Sequence, residues 1–411
     1  MGFRLSVRTM EAGVPRRRVR GVVAAVAVCG LVVAGCSSGG GPGGGSTTGG
    51  DGGDAAKVTI TPANGTAKVS PDKGVTVSVA NGKLGQVTVT DADGKSVDGK
   101  LAPNGASWRT SWNLKPGSDY TVTAKATGSD QKQISQQAKF STLKADKKLE
   151  SGMSPLDGEK VGVGMPVQLL LSQEVSSKSR KKDIERSLEV QTSKPLEGGW
   201  YWVNDKEVDF RPKSYWPSGT KVKVTAHLTG VHAGSGLWGT KDRSTEFTIG
   251  PKHITVIKNS THQMTVKSDG DTVKTIPVSM GKPGDDTYSG TTIAQEKAAH
   301  IIMDSATTGD PGAYRIPTQW NVRMTYSGTF VHAAPWSVGS QGSANVSHGC
   351  VNVAPDNAKW FFDFTNRGDV IKVVGTSRHL EFGNGPTPWV LSWKDWQKGS
   401  TLGRPVTTAK L

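Results

Sequence analysis

Ser347-His348-Gly349-Cys350-Val351-Asn352 sets a cysteine between a His-Gly step and an asparagine, near the end of a 411-residue chain. The thiolate is the nucleophilic form of cysteine, and a free thiol with a pKa of about 8.5 is only slightly ionised at neutral pH. A cysteine used in catalysis therefore needs a base within hydrogen-bond reach. Two histidines are candidates. His348 stands two residues before the thiol and shares its face wherever the backbone is extended. His332 ends Gly328-Thr329-Phe330-Val331-His332, which reads as a strand, and reaches Cys350 if the intervening loop folds back. Gly349 lets a substrate approach the backbone closely. The N–H groups of Gly349 and Cys350 are candidate donors to a developing oxyanion.

Around this stretch, residues 251–377 read as short strands. His253-Ile-Thr-Val-Ile-Lys258 and Gln263-Met-Thr-Val266 predict a hairpin, and Thr272 to Gly281 a further strand. Gly281-Lys-Pro-Gly-Asp-Asp-Thr287 is a loop running into another. One clear helix is expected over 355–366, with Pro355 at its start, Gly368 past its end, and Ala358, Phe361, Phe362 and Thr365 on one face. Asp369-Val-Ile-Lys-Val-Val374 closes the unit as a strand.

Upstream, residues 57–143 alternate apolar and polar residues in short runs punctuated by Asp93-Gly94, Asn104-Gly105 and Pro116-Gly117. Such spacing predicts an antiparallel sandwich. Pro116-Gly-Ser-Asp-Tyr120-Thr-Val-Thr-Ala resembles the corner and following strand of immunoglobulin-like modules. Pro217-Ser-Gly-Thr-Lys-Val222-Lys-Val-Thr-Ala echoes it about one sandwich domain later. Trp112, Trp200 and Trp216 are expected as core or turn residues, and His227 and His232 as strand or loop surface. In the tail, Trp389, Trp393 and Trp396 stand at near-helical spacing. They predict a short helix packed back on the 251–377 unit, with a ligand-stacking platform as the other reading.

The N-terminus is expected to be a targeting segment. Arg16, Arg17, Arg18 and Arg20 precede an apolar run over 21–35, too short to span a membrane comfortably. Leu31-Val-Val-Ala-Gly-Cys36 resembles a lipoprotein cleavage site, with Cys36 receiving lipid. An ordinary secretory signal or an uncleaved anchor are the other readings, and all three place the bulk of the chain outside the cytoplasm. Ser37 to Ala55 is a Gly-rich tether, spanning about 25 Å root-mean-square as a flexible coil. The formal net charge of +15 falls to +10 once six arginines and one glutamate leave with the signal. That charge suits the polyanionic bacterial envelope, and no nucleic-acid motif accompanies it. Of the three cysteines, Cys29 leaves with the signal and Cys36 carries lipid. Cys350 is then the lone thiol of the mature chain, unable to form an internal disulfide.

His332, fourteen intervening residues, and then Ser347-His348-Gly349-Cys350-Val351-Asn352 resemble the signature of the L,D-transpeptidases, bacterial cell-wall enzymes. The flanks Tyr326-Ser-Gly-Thr-Phe-Val-His-Ala-Ala-Pro-Trp336 and Asn352-Val-Ala-Pro-Asp-Asn-Ala-Lys-Trp360 are similar too. The resemblance covers roughly residues 250–377 and extends in architecture to the multidomain lipoprotein members. It implies a mainly β chain: two tandem immunoglobulin-like β-sandwich domains, a β-rich catalytic domain with one main helix, and a small C-terminal subdomain. The expected bounds are 1–35 for the signal, 36–55 for the lipidated cysteine and tether, 56–145 and 146–250 for the sandwiches, 251–377 for the catalytic domain and 378–411 for the tail.

The resemblance also implies roles. Cys350 is the nucleophile and His332 the general base, held in its working tautomer by a backbone carbonyl such as that of Ala333. His348 and Gly349 support the oxyanion region, and Asn352 holds the loop and substrate. Tyr314 sits on a lid, Ser327 and Gly328 offer backbone contacts to the peptide donor, Trp336 walls the pocket, and Met303 and Asp304 lie opposite. The lid, 307–316, is short and carries Thr308 where some relatives have an aromatic residue, which bears on how tightly it closes. The implied reaction is 3→3 cross-linking of peptidoglycan stem peptides from a tetrapeptide donor, with release of D-Ala and no cofactor. The implied partners are donor and acceptor stems, the membrane through the N-terminal lipid, and carbapenem inhibitors, on the outer face of the cytoplasmic membrane. An L,D-carboxypeptidase and a wall-anchoring transpeptidase share the same chemistry. His332, His348 and Cys350 as metal ligands, and a non-catalytic wall-binding protein, are rivals from other classes.

Overall fold

The computed structural model describes residues 54–305 and 315–411. The signal, Cys36, nearly all of the tether, and Thr308 and Tyr314 of the lid lie outside the described residues.

Three hydrophobic cores follow one another along the chain. In the first sandwich, Lys57–Thr61, Thr76–Ala80, Ser107–Thr110 and Gly99–Leu101 form one sheet, in that spatial order. Gly82–Asp91, Asp119–Gly128 and Gln133–Ser141 form the other. Strict alternation along Asp119–Gly128 buries Tyr120, Val122, Ala124 and Ala126 against Trp108 and Phe140. The corner read at Pro116 is present: the Tyr120 hydroxyl accepts the Lys115 N–H at 2.8 Å, and Gly117 takes the positive φ of +66° that the turn needs.

The second sandwich packs Trp200, Phe210, Trp216 and Phe247 between two five-stranded sheets, with one helix, Lys178–Arg186, that the sequence pattern does not announce. Its first sheet runs Lys160–Val161, Arg243–Ile249, Lys221–Ala226, Leu188–Thr192 and Ala409–Lys410. The second runs Val406–Thr407, Glu197–Trp202, Glu207–Pro212, Val167–Leu171 and Ser151–Ser154. The chain's last residues thus add an edge strand to both sheets, joined by a Thr408–Thr192 hydroxyl contact of 2.5 Å.

This corrects the expected docking of the tail. The tryptophan helix, Trp393–Gln397, packs on the second sandwich, where Trp396 is fully buried and donates its indole N–H to Gly199 O at 2.9 Å. The buried Arg211 explains why. Its guanidinium lies 4.6, 5.4 and 5.0 Å from the ring centres of Trp389, Trp393 and Trp396, so the three indoles cover a charge that the sheet alone would strand. Only the earlier part of the tail meets the 251–377 unit, through Leu380 N–H to Ser289 O at 2.7 Å and Asn384 against Ser327.

His227 is likewise not simple surface. Its ring stacks on Trp112 of the first sandwich at 3.7 Å and lies 3.3 Å from Glu189 and 3.7 Å from Asp242, so it belongs to the junction between sandwiches. His232 stacks on Trp238 at 4.2 Å.

The third core lies between a five-stranded and a four-stranded sheet. The first runs Asp271–Pro277, Gln263–Ser268, His253–Lys258, Val370–Val374 and Gly290–Ile293. The second runs Lys297–Asp304, Arg315–Arg323, Phe330–Ala333 and Val351–Val353. Helix Pro355–Phe364 closes it with Ala358 and Phe361. Ile293 and Val370 extend the second sandwich's core into this unit, and Arg367 pairs with Glu159 across the joint at 2.5 Å.

Candidate active site

Strands Phe330–Ala333 and Val351–Val353 are buried along their whole length and pair in parallel, with His332 opposite Asn352. Side chains at i and i+2 share a face of a strand. Cys350, immediately before the second strand, therefore lies on the side of Asn352 and so of His332. Together with Met303, Trp336, Ser347 and His348 they line one cavity of about 210 Å³. The loop does fold back, and parallel pairing is the reason.

His332 is only 3% exposed, and its Nδ1 lies 2.9 Å from Ala333 O. A carbonyl oxygen can only accept, so Nδ1 carries the proton and Nε2 keeps its lone pair. Burial in this apolar setting lowers the ring's pKa to about 4. Burial acts in the opposite direction on Cys350, raising the thiol to about 11, offset only in part by a backbone hydrogen bond at Phe330 and the charge of Arg323. The half-buried Cys350 donates its S–H to Gly328 O at 3.6 Å. The resting pair is thus a neutral thiol and a neutral imidazole. The imidazole is a proton acceptor already in its working tautomer.

His348 is exposed, and its Nε2 sits 3.2 Å from the Lys282 ammonium, which must donate to it. That lone pair is occupied, so His332 is the better placed base. Gly349 adopts φ +118°, open to glycine and strained for other residues. Its N–H donates to Ser347 Oγ at 3.1 Å, so serving an oxyanion would require that bond to be shared or broken. The Ser347 hydroxyl in turn donates to Cys350 O at 2.7 Å. Asn352 is buried, its side chain donating to Ser337 Oγ at 3.1 Å and its backbone exchanging two bonds with Ser279.

Trp336 walls the cavity with its ring 6.0 Å from that of His332, yet is 56% exposed and also lines a neighbouring groove of about 460 Å³ beside His300, Ile302 and Gln319. Ser327 and Gly328 do not line the cavity. The Ser327 N–H is taken by Asn384 Oδ1 at 2.9 Å, and Gly328 meets the site through its carbonyl. Sequence reasoning passed over Thr287, whose hydroxyl donates to Gly349 O at 2.9 Å from sixty-two residues away. A threonine in a Gly- and Asp-rich loop carries no local signal of that contact.

Residues 251–374 match the family model of the L,D-transpeptidase catalytic domain, and residues 66–232 that of a bacterial Ig domain. The chain is 38% identical over 349 residues to L,D-transpeptidase 2 of Mycobacterium tuberculosis (strain CDC 1551 / Oshkosh), spanning 84% of this chain and 85% of that one. It is 32% identical over 360 residues to L,D-transpeptidase 5 of Mycobacterium tuberculosis (strain ATCC 25618 / H37Rv), spanning 86% and 78%. A solved L,D-transpeptidase in complex with imipenem aligns with 56% of this chain and 99% of its own, at 37% identity and a TM-score of 0.48. The chain belongs to the L,D-transpeptidase family, with immunoglobulin-like sandwiches ahead of its catalytic domain.

Proposed function

We propose that this L,D-transpeptidase forms 3→3 peptidoglycan cross-links by acyl transfer through Cys350. The observation that carries the reading is the His332 ring, locked by Ala333 O with Nε2 unprotonated and lining the same cavity as the thiol. In the first half-reaction the Cys350 proton passes to His332 Nε2 as sulfur attacks the carbonyl before the terminal D-Ala of a tetrapeptide stem. The C–N bond to D-Ala breaks, its nitrogen takes the proton from His332, and a thioester remains on Cys350. In the second, the side-chain amine of a neighbouring stem attacks the thioester, His332 accepts the proton and returns it to sulfur, and the C–S bond breaks. The apolar wall of Met303, Ile316 and Trp336 favours amine over water as the acceptor. A β-lactam ring opened by the same thiol would leave an acyl-enzyme, which makes carbapenems inhibitors under this reading.

Incubating the full chain with a disaccharide-tetrapeptide and measuring intact masses tests the proposal. The expected result is a thioester on Cys350, one D-Ala released per event, and a dimeric product. D-Ala release without dimer makes the enzyme a carboxypeptidase. No adduct and no product on folded protein with a free thiol refutes the reading.

We further propose that Cys36 is lipidated and anchors the enzyme on the outer face of the cytoplasmic membrane, with the sandwiches as a spacer into the wall. Cys36→Ser should release the chain from the membrane fraction. Retention there of a variant whose mass differs from the wild type only by the sulfur-to-oxygen exchange would reject the anchor.

A further inference from the structure

Gly349 is the least constrained point of the nucleophile turn. With φ at +118° and no side chain, the orientation of the Gly349–Cys350 peptide is not imposed by the residue itself. Something outside the turn must hold it. Thr287 does so from a loop on the other sheet. It is wholly buried, and its Oγ1 lies 2.9 Å from Gly349 O and 3.0 Å from Gly281 N. The roles admit one assignment, because an amide donates and a carbonyl accepts. The Gly281 N–H gives to Oγ1, and the single hydroxyl proton goes to Gly349 O. Thr287 is itself anchored, since its carbonyl accepts the Thr376 hydroxyl at 2.6 Å just beyond strand Val370–Val374.

In a trans peptide the C=O and N–H point in opposite directions. Pinning Gly349 O toward Thr287 therefore turns the Cys350 N–H away from the buried loop, to the side of the cavity. The neighbouring Gly349 N–H is already held by Ser347 Oγ. We infer that Thr287 is a positioning residue for acyl transfer: its hydroxyl sets the plane of the Gly349–Cys350 peptide and so aims the Cys350 N–H at the oxyanion. The inference rests on the reading of Cys350 as the nucleophile. Thr287 touches neither the thiol nor the substrate, so it acts on the step in which negative charge reaches oxygen, and not on ionisation of sulfur.

That separation is measurable. Alkylation of Cys350 by iodoacetamide needs the thiol alone, whereas acylation by imipenem also needs a donor for the oxyanion. Both rates are followed on the full chain by the mass of the Cys350 peptide. Losing an oxyanion donor outright costs about 10²–10³ in rate. A misaimed donor loses less, so Thr287→Val should acylate roughly ten- to a hundredfold more slowly while alkylation stays within about twofold. Thr287→Ser, which keeps the hydroxyl, should restore acylation. If the valine variant does not fold, Gly281→Ala perturbs the same link from the other side, because its Cβ would press into Asp285 O and Thr287 N. Unchanged acylation in folded Thr287→Val, an equal fall in both rates, or a serine variant as slow as valine each overturns the positioning role. A wild-type protein that is alkylated but never acylated, by imipenem or by tetrapeptide, overturns the nucleophile reading itself and the inference with it.

Discussion

The charge state of the resting pair has a consequence that separates two mechanisms. Burial lowers His332 to about 4 and raises Cys350 to about 11, so both shifts favour the neutral thiol and neutral imidazole over an ion pair before substrate arrives. A thiol at about 11 is ionised to about one part in ten thousand at pH 7. A free thiol at about 8.5 is ionised to a few per cent, so the thiolate fraction falls by a few hundredfold. The higher basicity restores roughly a factor of ten in nucleophilicity. Iodoacetamide should therefore alkylate Cys350 one to two orders of magnitude more slowly than a small thiol at pH 7, with the rate still climbing beyond pH 9. Peptide mapping reads Cys350 separately from the other cysteines, and absorbance at about 240 nm follows thiolate directly. A rate plateau between pH 5 and 8, with thiolate absorbance already present there, would refute the neutral pair and with it the argument from burial.

The same two groups contribute to the pH dependence of stability. His332 is depressed from its ordinary 6.5, so between pH 6.5 and 4 the unfolded chain binds a proton that the folded chain does not. The contribution of His332 is complete above 6.5 and should fall by about 3 kcal/mol on acidification to 4, read by urea unfolding as the difference between wild type and His332→Gln. Cys350 works at the other end: from pH 9 to 11 the unfolded chain releases its proton first, and stability should fall by about 2–3 kcal/mol. Removing 405–411 takes away both tail strands and leaves the buried Thr192 hydroxyl without Thr408, so thermal unfolding should move down by the equivalent of about 1–3 kcal/mol; an unchanged melting curve would show that the tail strands add nothing. Gly230 has φ +74°, and a Cβ there would run into Leu114 O of the first sandwich. Gly230→Ala should cost about 1–3 kcal/mol and quench less of the Trp112 fluorescence by His227. Identical stability and emission would refute the tight junction.

Much of the molecule was legible in residue order because the governing physics is local. Alternation from Tyr120 to Ala126 needs only the two-residue period of a strand, and the Pro116–Tyr120 corner only its own turn. Helix Pro355–Phe364 announces itself by proline at its first turn and by a buried face of Ala358 and Phe361. The nucleophile and its base were legible as residue types at a recognisable spacing, with glycine beside the thiol. Helix Lys178–Arg186 was not, since its charged sequence has no strong apolar period and it forms against the second sandwich. The tail was placed on the wrong neighbour because its aromatic spacing reports a helix and says nothing about what that helix covers.

By itself, then, the order of residues determined β-rich units, a cysteine set beside a glycine in a turn, and a histidine able to serve it. The tertiary structure supplied the geometry that leaves one side of that histidine free, with Ala333 O, the carbonyl the resemblance pointed to, 2.9 Å from Nδ1. Tertiary structure likewise placed three tryptophans over Arg211 and gave both sheets of the second sandwich their last strand. It also brought Thr287 under the Gly349 carbonyl. Apart from the contact between the adjacent His332 and Ala333, each of these is a hydrogen bond or a covered charge between residues far apart in the chain. Its free energy exists only once water has been excluded from between them.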